Sequence, residues 1–191
     1  CEKSRERIVK LADINDIPYA LRNHAYPAKA HNLKVKEHLL RKNPKLLSET
    51  SALFIAGEKL EGNKYCDTSK EFRQGRYFYY LSGVDIPGCS LLFNFKTDKL
   101  TLFLPNIEWD DIIWSGMPMT PEEALKDFDV DEVLYAKDIE KQINSECSGF
   151  KIFTTDLDNV YGEEIKKKLI HGDTDFFYAM DEARLIKDWY E

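Results

Sequence analysis

Two apolar runs, Gly88–Phe95 and Leu100–Leu104, stand either side of the polar link Lys96-Thr97-Asp98-Lys99, and this constrains the chain more than any other feature. Strand-length runs joined by so few residues pair as antiparallel neighbours, because a parallel pair needs a crossover of a dozen residues or more. Just upstream, Tyr65–Cys89 opens polar and turns at Phe72-Arg73-Gln74. It passes through the aromatic group Tyr77-Phe78-Tyr79-Tyr80 to Gly83, and leads through Pro87-Gly88-Cys89 into the hairpin.

Around the hairpin, further elements alternate in type. A helix is expected from about Ala30 to Lys42, with Leu33, Val35, Leu39 and Leu40 as its apolar side and Asn43-Pro44 as its stop. Ser51–Ala56, closed by Gly57, reads as a buried strand. Phe78–Leu81 is strand or helix on pattern alone. Pro121–Phe128 reads as a short helix with Thr120 as N-cap and Pro121 at its first position. Glu132–Tyr135 reads as a strand, Lys137–Asn144 as a helix, Phe150–Thr154 as a strand and Gly162–Ile170 as a helix. Alternating strands and helices with one hairpin imply an α/β fold, a mixed β-sheet flanked by helices. Arg5–Leu11 could form a short helix, but Pro18 and Pro27 rule out a long one and leave a loose lead-in. The segment from Asp181 starts with acids, as a helix N-terminus prefers, and places Leu185, Ile186, Trp189 and Tyr190 on one face. No terminator follows, and the expectation is truncation of a longer protein. Cys1 in place of Met points to a trimmed or engineered start.

At 191 residues one domain is the natural count, large enough to be stable without staples. The net charge of −7, with acids and bases interleaved, argues against a nucleic-acid partner, which requires a clustered basic face. No apolar run reaches the roughly 20 residues of a membrane helix, so no membrane partner is expected. Cys1, Cys66, Cys89 and Cys147 show no zinc spacing, and reduced thiols in a cytoplasmic protein are the expectation.

The segments that resemble chemistry are short. Asp156-Leu157-Asp158-Asn159-Val160 after Phe150–Phe153 has the form of a phosphatase nucleophile motif, in which one aspartate attacks phosphorus beside magnesium. Too little chain follows Val160 for the rest of such a fold, and a polar loop is the expected reading. His171-Gly172-Asp173-Thr174-Asp175 offers imidazole and carboxylate that suit zinc or manganese, but reads as a solvated turn. His24, His31 and His38 are expected at the surface. At least half of the Tyr77–Tyr80 rings are expected in the core. Trp109 and Trp114 flank Asp110–Ile113 in a loop running into Ser115-Gly116-Met117-Pro118, each as a core plug or a contact anchor.

Taken in order, Tyr65-Cys66-Asp67-Thr68, Phe72-Arg73-Gln74, Phe78, Gly83-Val84 and Pro87-Gly88-Cys89 resemble the N-terminal domain of prolidases (Xaa-Pro dipeptidases) and their aminopeptidase P relatives. Thr101–Pro105 and Trp114-x-Gly116 continue the pattern, and Tyr26–His31 is similar to a segment of fungal prolidase-like sequences. The resemblance implies a lead-in over 1–25 and a creatinase-like domain over 26–180. From 181 to 191 it implies the start of a helical linker to an absent C-terminal catalytic domain. That "pita-bread" domain would hold two manganese ions on two aspartates, a histidine and two glutamates. The resemblance therefore assigns no catalytic or metal-binding residue to this chain. It implies a homodimer acting on short proline-containing peptides, with this domain shaping access to the active site and Trp114 approaching the partner's pocket. The alternative is a pseudoenzyme or a stand-alone binding and dimerisation module without peptidase activity.

Overall fold

The computed structural model describes residues 26–42, 50–108, 112–113 and 116–185. The expectations for the lead-in, Cys1, His24, Trp109, Trp114 and the 186–191 segment lie outside those residues.

A six-stranded mixed sheet forms the centre, in the order β4-β3-β2-β1-β5-β6. Its strands are β1 (Ser51–Ala56), β2 (Ser90–Asn94), β3 (Lys99–Leu104), β4 (Glu132–Tyr135), β5 (Lys151–Thr154) and β6 (Leu169–His171). The β2–β3 hairpin pairs antiparallel with Leu91 opposite Leu102, and β2 runs antiparallel to β1 with Leu92 opposite Phe54. The outer pairs β3–β4, β1–β5 and β5–β6 are parallel. β1 and β2 are buried at every position because helices cover both faces.

One face carries Leu53, Ile55, Leu91, Phe93, Leu100, Leu102, Leu104 and Phe153. It is covered by α1 (Ala28–Lys42), α2 (Arg76–Ser82), α3 (Pro121–Asp127) and α6 (Thr174–Leu185). The other face carries Ala52, Phe54, Leu92, Phe103 and Ile152, under α4 (Ile139–Glu146) and α5 (Glu163–Lys166). The α/β expectation is met as a helix–sheet–helix sandwich.

Several local expectations hold. Thr120 caps α3 in a reciprocal capping box with Glu123, and Pro121 opens the helix. Phe78–Leu81 is helical. Gly83 ends α2 at φ +69, with its N–H on the Tyr79 carbonyl, and a Cβ there would lie 2.5 Å from the Tyr26 ring. Only glycine combines that left-handed turn with that approach.

Others are corrected. In α1 the buried stripe is Ala28, Asn32, Val35 and Leu39, whereas Leu33 and Leu40 are exposed. Each of those leucines follows a buried residue and so sits about 100° further round the axis. Asn32 instead donates to the carbonyls of Ala28 and Leu81, tying α1 to α2. The helix expected over Gly162–Ile170 is one turn only, and Leu169–His171 leaves it to pair with β5. Ile165 and Leu169 are both buried four residues apart, a spacing that helical pattern alone cannot tell from a helix-to-strand switch. The helix expected to begin near Asp181 begins at Thr174, so Asp181 lies inside it. Leu185 is exposed.

Candidate functional site

The Tyr65–Cys89 stretch closes on itself around one side chain. Gln74 Oε1 accepts from the backbone N–H of Glu58 at 2.8 Å and of Gly75 at 3.1 Å. Its Nε2 donates to the carbonyls of Val84 at 3.3 Å and Ile86 at 3.2 Å. The amide thereby satisfies backbone groups on both sides of α2, which a loop entering and leaving the core must otherwise leave unpaired. Gly57 N–H bonds the Cys89 carbonyl, and Gly88 N–H bonds the Glu58 carbonyl, each at 2.8 Å. At Gly57 a Cβ would stand 3.0 Å from both Cys89 O and Gln74 Oε1, so the C-terminal end of β1 accepts this loop only because no side chain intervenes.

Across this knot, Asn159 Nδ2 bridges Glu58 Oε2 at 2.9 Å and Asp156 Oδ2 at 3.0 Å. Asp156 Oδ1 accepts from Asp158 N–H at 2.8 Å, and Thr154 Oγ1 donates to the Asp156 carbonyl. Both Asp156 oxygens are thus engaged in shaping their own loop, an Asx turn rather than a poised nucleophile. The polar-loop expectation holds there. Beyond Glu58 an arm over 61–70 folds back through a Gly62–Ser69 bridge, with the fully exposed Tyr65 near its tip at φ +61. A cleft of about 320 Å³ lies beneath it, lined by Glu58, Glu61, Lys70, Arg73 and Gln74. Lys70 pairs with Glu61 there, and its hydrogen bond holds the Glu61 carboxyl below its usual range.

The cysteines Cys66, Cys89 and Cys147 are free thiols. Burial pushes Cys89 up to about 12 and Cys147 up to about 11, so neither supplies a thiolate. Cys66 is exposed, and hydrogen bonding with Thr68 lowers its thiol pKa.

The other sequence candidates disperse. His171 ends β6 with its ring 5.4 Å from that of Phe177, while Asp173 Oδ1 accepts from Phe176 N–H at the start of α6. Among the described residues no three His, Cys, Asp or Glu side chains converge to hold a metal ion. Phe78 is buried, Tyr77 and Tyr80 pack against the core, and Tyr79 is exposed. His31 stacks on the Tyr80 ring at 4.3 Å and bonds its carbonyl. His38, expected at the surface, is only 8% exposed between α1 and α6. Trp114 lies outside the described residues; its neighbours Ile113 and Met117 are exposed, and Gly116 turns there at φ +79. Sequence reasoning missed the roles of Gln74 in the knot and Asn159 as a bridge. The Phe72-Arg73-Gln74-Gly75 turn was the one signal that pointed to the former.

This architecture is that of the N-terminal layer of an aminopeptidase P. Residues 33–153, more than half the chain, match the family described as "Aminopeptidase P, N-terminal domain", and the chain belongs to that family. An uncharacterized peptidase of Saccharomyces cerevisiae is 61% identical over 186 residues, covering 97% of this chain and 35% of that protein. A probable Xaa-Pro aminopeptidase of Verticillium alfalfae is 36% identical over 174 residues, covering 87% of this chain and 36% of the relative. In fold, aminopeptidase P from Escherichia coli, solved with the inhibitor Pro-Leu, superposes with a TM-score of 0.54 at 20% identity, over 70% of this chain and 32% of that one. The chain thus spans about a third of the length of the relatives it matches. No helix among the described residues is long and apolar enough to cross a membrane.

Proposed function

We propose that the chain is the non-catalytic N-terminal domain of a metal-dependent Xaa-Pro peptidase, dipeptidase or aminopeptidase, that hydrolyses the bond preceding proline. One observation carries this reading. Asp156, in the one loop with the form of a nucleophile motif, is occupied in holding its own loop, and Gln74 of the signature stretch holds backbone on both sides of α2. The family membership supplies the context. The domain's partner would be the parent's own C-terminal catalytic domain, whose carboxylates and histidine would hold two manganese ions that would supply water activation and Lewis-acid chemistry. In a cytoplasmic homodimer the domain contributes to subunit packing and restricts the site to short proline-containing peptides. The loop carrying Trp114, beside the exposed Ile113 and Met117, borders the partner's pocket.

The test compares this 191-residue chain with its full-length parent on Xaa-Pro dipeptides and longer peptides, with manganese present. The parent is expected to turn over and the chain to be inert. In the parent, Trp114→Ala is expected to raise the relative rate on longer peptides. Chelator-sensitive turnover by the chain alone overturns the non-catalytic reading, and an unchanged length preference overturns the access role. An inactive parent favours the pseudoenzyme alternative.

A further inference from the structure

The outer side of α6 holds a charged group that the described residues leave partly unsatisfied. α6 buries Phe176, Ala179, Met180 and Ala183 in the core and turns Tyr178 and Leu185 outward, 63% and 64% exposed. At about 100° per residue, Phe177, Asp181 and Arg184 fall on the flank between those two stripes. There Arg76 of α2 donates to the Tyr77 hydroxyl at 3.0 Å, and that hydroxyl donates to Asp181 Oδ1 at 3.2 Å. Arg184 Nη2 donates to the same oxygen at 3.4 Å. Two guanidinium groups thus converge on one carboxylate, and neither meets another carboxylate among the described residues. Arg184 Nε is buried and finds no acceptor among them.

A buried guanidinium N–H without an acceptor costs the desolvation of that donor, and native structures supply such groups with a water, an ion or a partner. Two cations on one carboxylate leave a surplus positive charge, so the group that completes this site is an anion. A carboxylate matches it in geometry, since a guanidinium edge presents parallel N–H groups to two oxygens. Tyr178 and Leu185 border the charge with exposed apolar surface, so the occupant brings hydrocarbon as well.

We propose that the outer face of α6 docks the remaining part of the parent protein, and that Arg184, with Arg76 beside it, takes a carboxylate side chain from that part. The chain covers 35% and 36% of two of its relatives, so most of a parent of that length is available to occupy the face. The proposal rests on the reading of the chain as one domain of a longer peptidase, and adds the surface and the contact. It predicts an asymmetry: the Arg184 Nε–H is unpaired in the isolated chain and paired in the parent.

The experiment measures hydrogen exchange of the α6 amides in the 191-residue chain and in its full-length parent. Protection of α6 is expected to rise in the parent by more than that of β1 and β2. In the parent, Arg184→Met is expected to remove the added protection, a loss of about tenfold, the size of one charge-assisted hydrogen bond. In the chain alone it is expected to move Tm by about 2 °C or less, because the Nε–H has no acceptor there to lose. Leu185→Ser, on the exposed side, is expected to lower α6 protection in the parent and leave the chain unchanged, and it decides the matter if Arg184→Met fails to fold. Equal protection of α6 in chain and parent overturns the proposal, as does a loss on Arg184→Met that is as large in the chain as in the parent. A chain that self-associates in ultracentrifugation, and is dispersed by Arg184→Met, assigns the face to a second copy and also overturns it. No readout uses turnover, so an inert parent counts against the peptidase reading alone.

Discussion

The two faces of the sheet are closed by different chemistry. Under α4 and α5 the contact is hydrocarbon: Phe54, Leu92, Phe103 and Ile152 meet Ile139, Ile143, Ile165 and the buried Cys147. Polar contacts on that side gather at Glu132, which Lys99 bridges at 2.9 Å to Glu146 at 2.6 Å and to which the buried Thr101 donates at 3.3 Å. On the α1–α2–α6 side an equally apolar floor is overlaid by hydrogen bonds between helices. There the Tyr26 hydroxyl donates to the Tyr80 carbonyl, the Tyr80 hydroxyl to the Ala183 carbonyl, and Asn32 to the Leu81 carbonyl. Desolvation raises the Tyr26 phenol to about 12, so it remains a donor across the physiological range. Dispersion and water exclusion set the strength of the first face. The second adds directional bonds, which fix how the helices are placed relative to one another.

The largest test of this contrast is Phe54→Ala. Phe54 is fully buried in the hydrocarbon face, and its removal is expected to cost about 3–5 kcal/mol in chemical denaturation, with a loss that is flat from pH 5.5 to 7.5. A loss below about 1 kcal/mol would show that this face does not rest on hydrocarbon packing. Tyr80→Phe keeps the ring and deletes one bond to α6. It is expected to cost about 0.5–1.5 kcal/mol and to raise exchange in α6 more than in the strands. An effect spread evenly over the molecule would show that the bond does not place α6. Leu33→Ser is the smallest, a change of about 0.5 kcal/mol or less by thermal melting, because that leucine points away from both faces. A loss of several kcal/mol would restore Leu33 to the core side of α1.

Much of this was legible in the chain. Ser51–Ala56, the hairpin and the capped α3 were each visible because short-range rules define them: an apolar run bounded by glycine, two runs with a four-residue link, and a Thr-Pro-x-Glu start. Leu169–His171 was not visible, since its strand character comes from the edge of β5, far from any local signal. His38 was placed outside because Pro18 and Pro27 argue against one continuous helix that would align it with His24 and His31, and only the packing of α6 on α1 encloses it. At the Gln74 knot, the turn could be read from Phe72-Arg73-Gln74-Gly75, but the bonds to Glu58, Val84 and Ile86 join segments 10–16 residues apart.

By itself the sequence determined the α/β class and the positions of most elements, because periodicity, turn residues and caps act within a few residues of one another, and the family through the ordered motifs of Tyr65–Cys89. Tertiary structure alone decided which helix face is buried, which strand ends the sheet, and that Gln74 and Asn159 tie distant loops together. Burial and hydrogen-bond partners are properties of groups brought together from distant parts of the chain, and no local pattern encodes them.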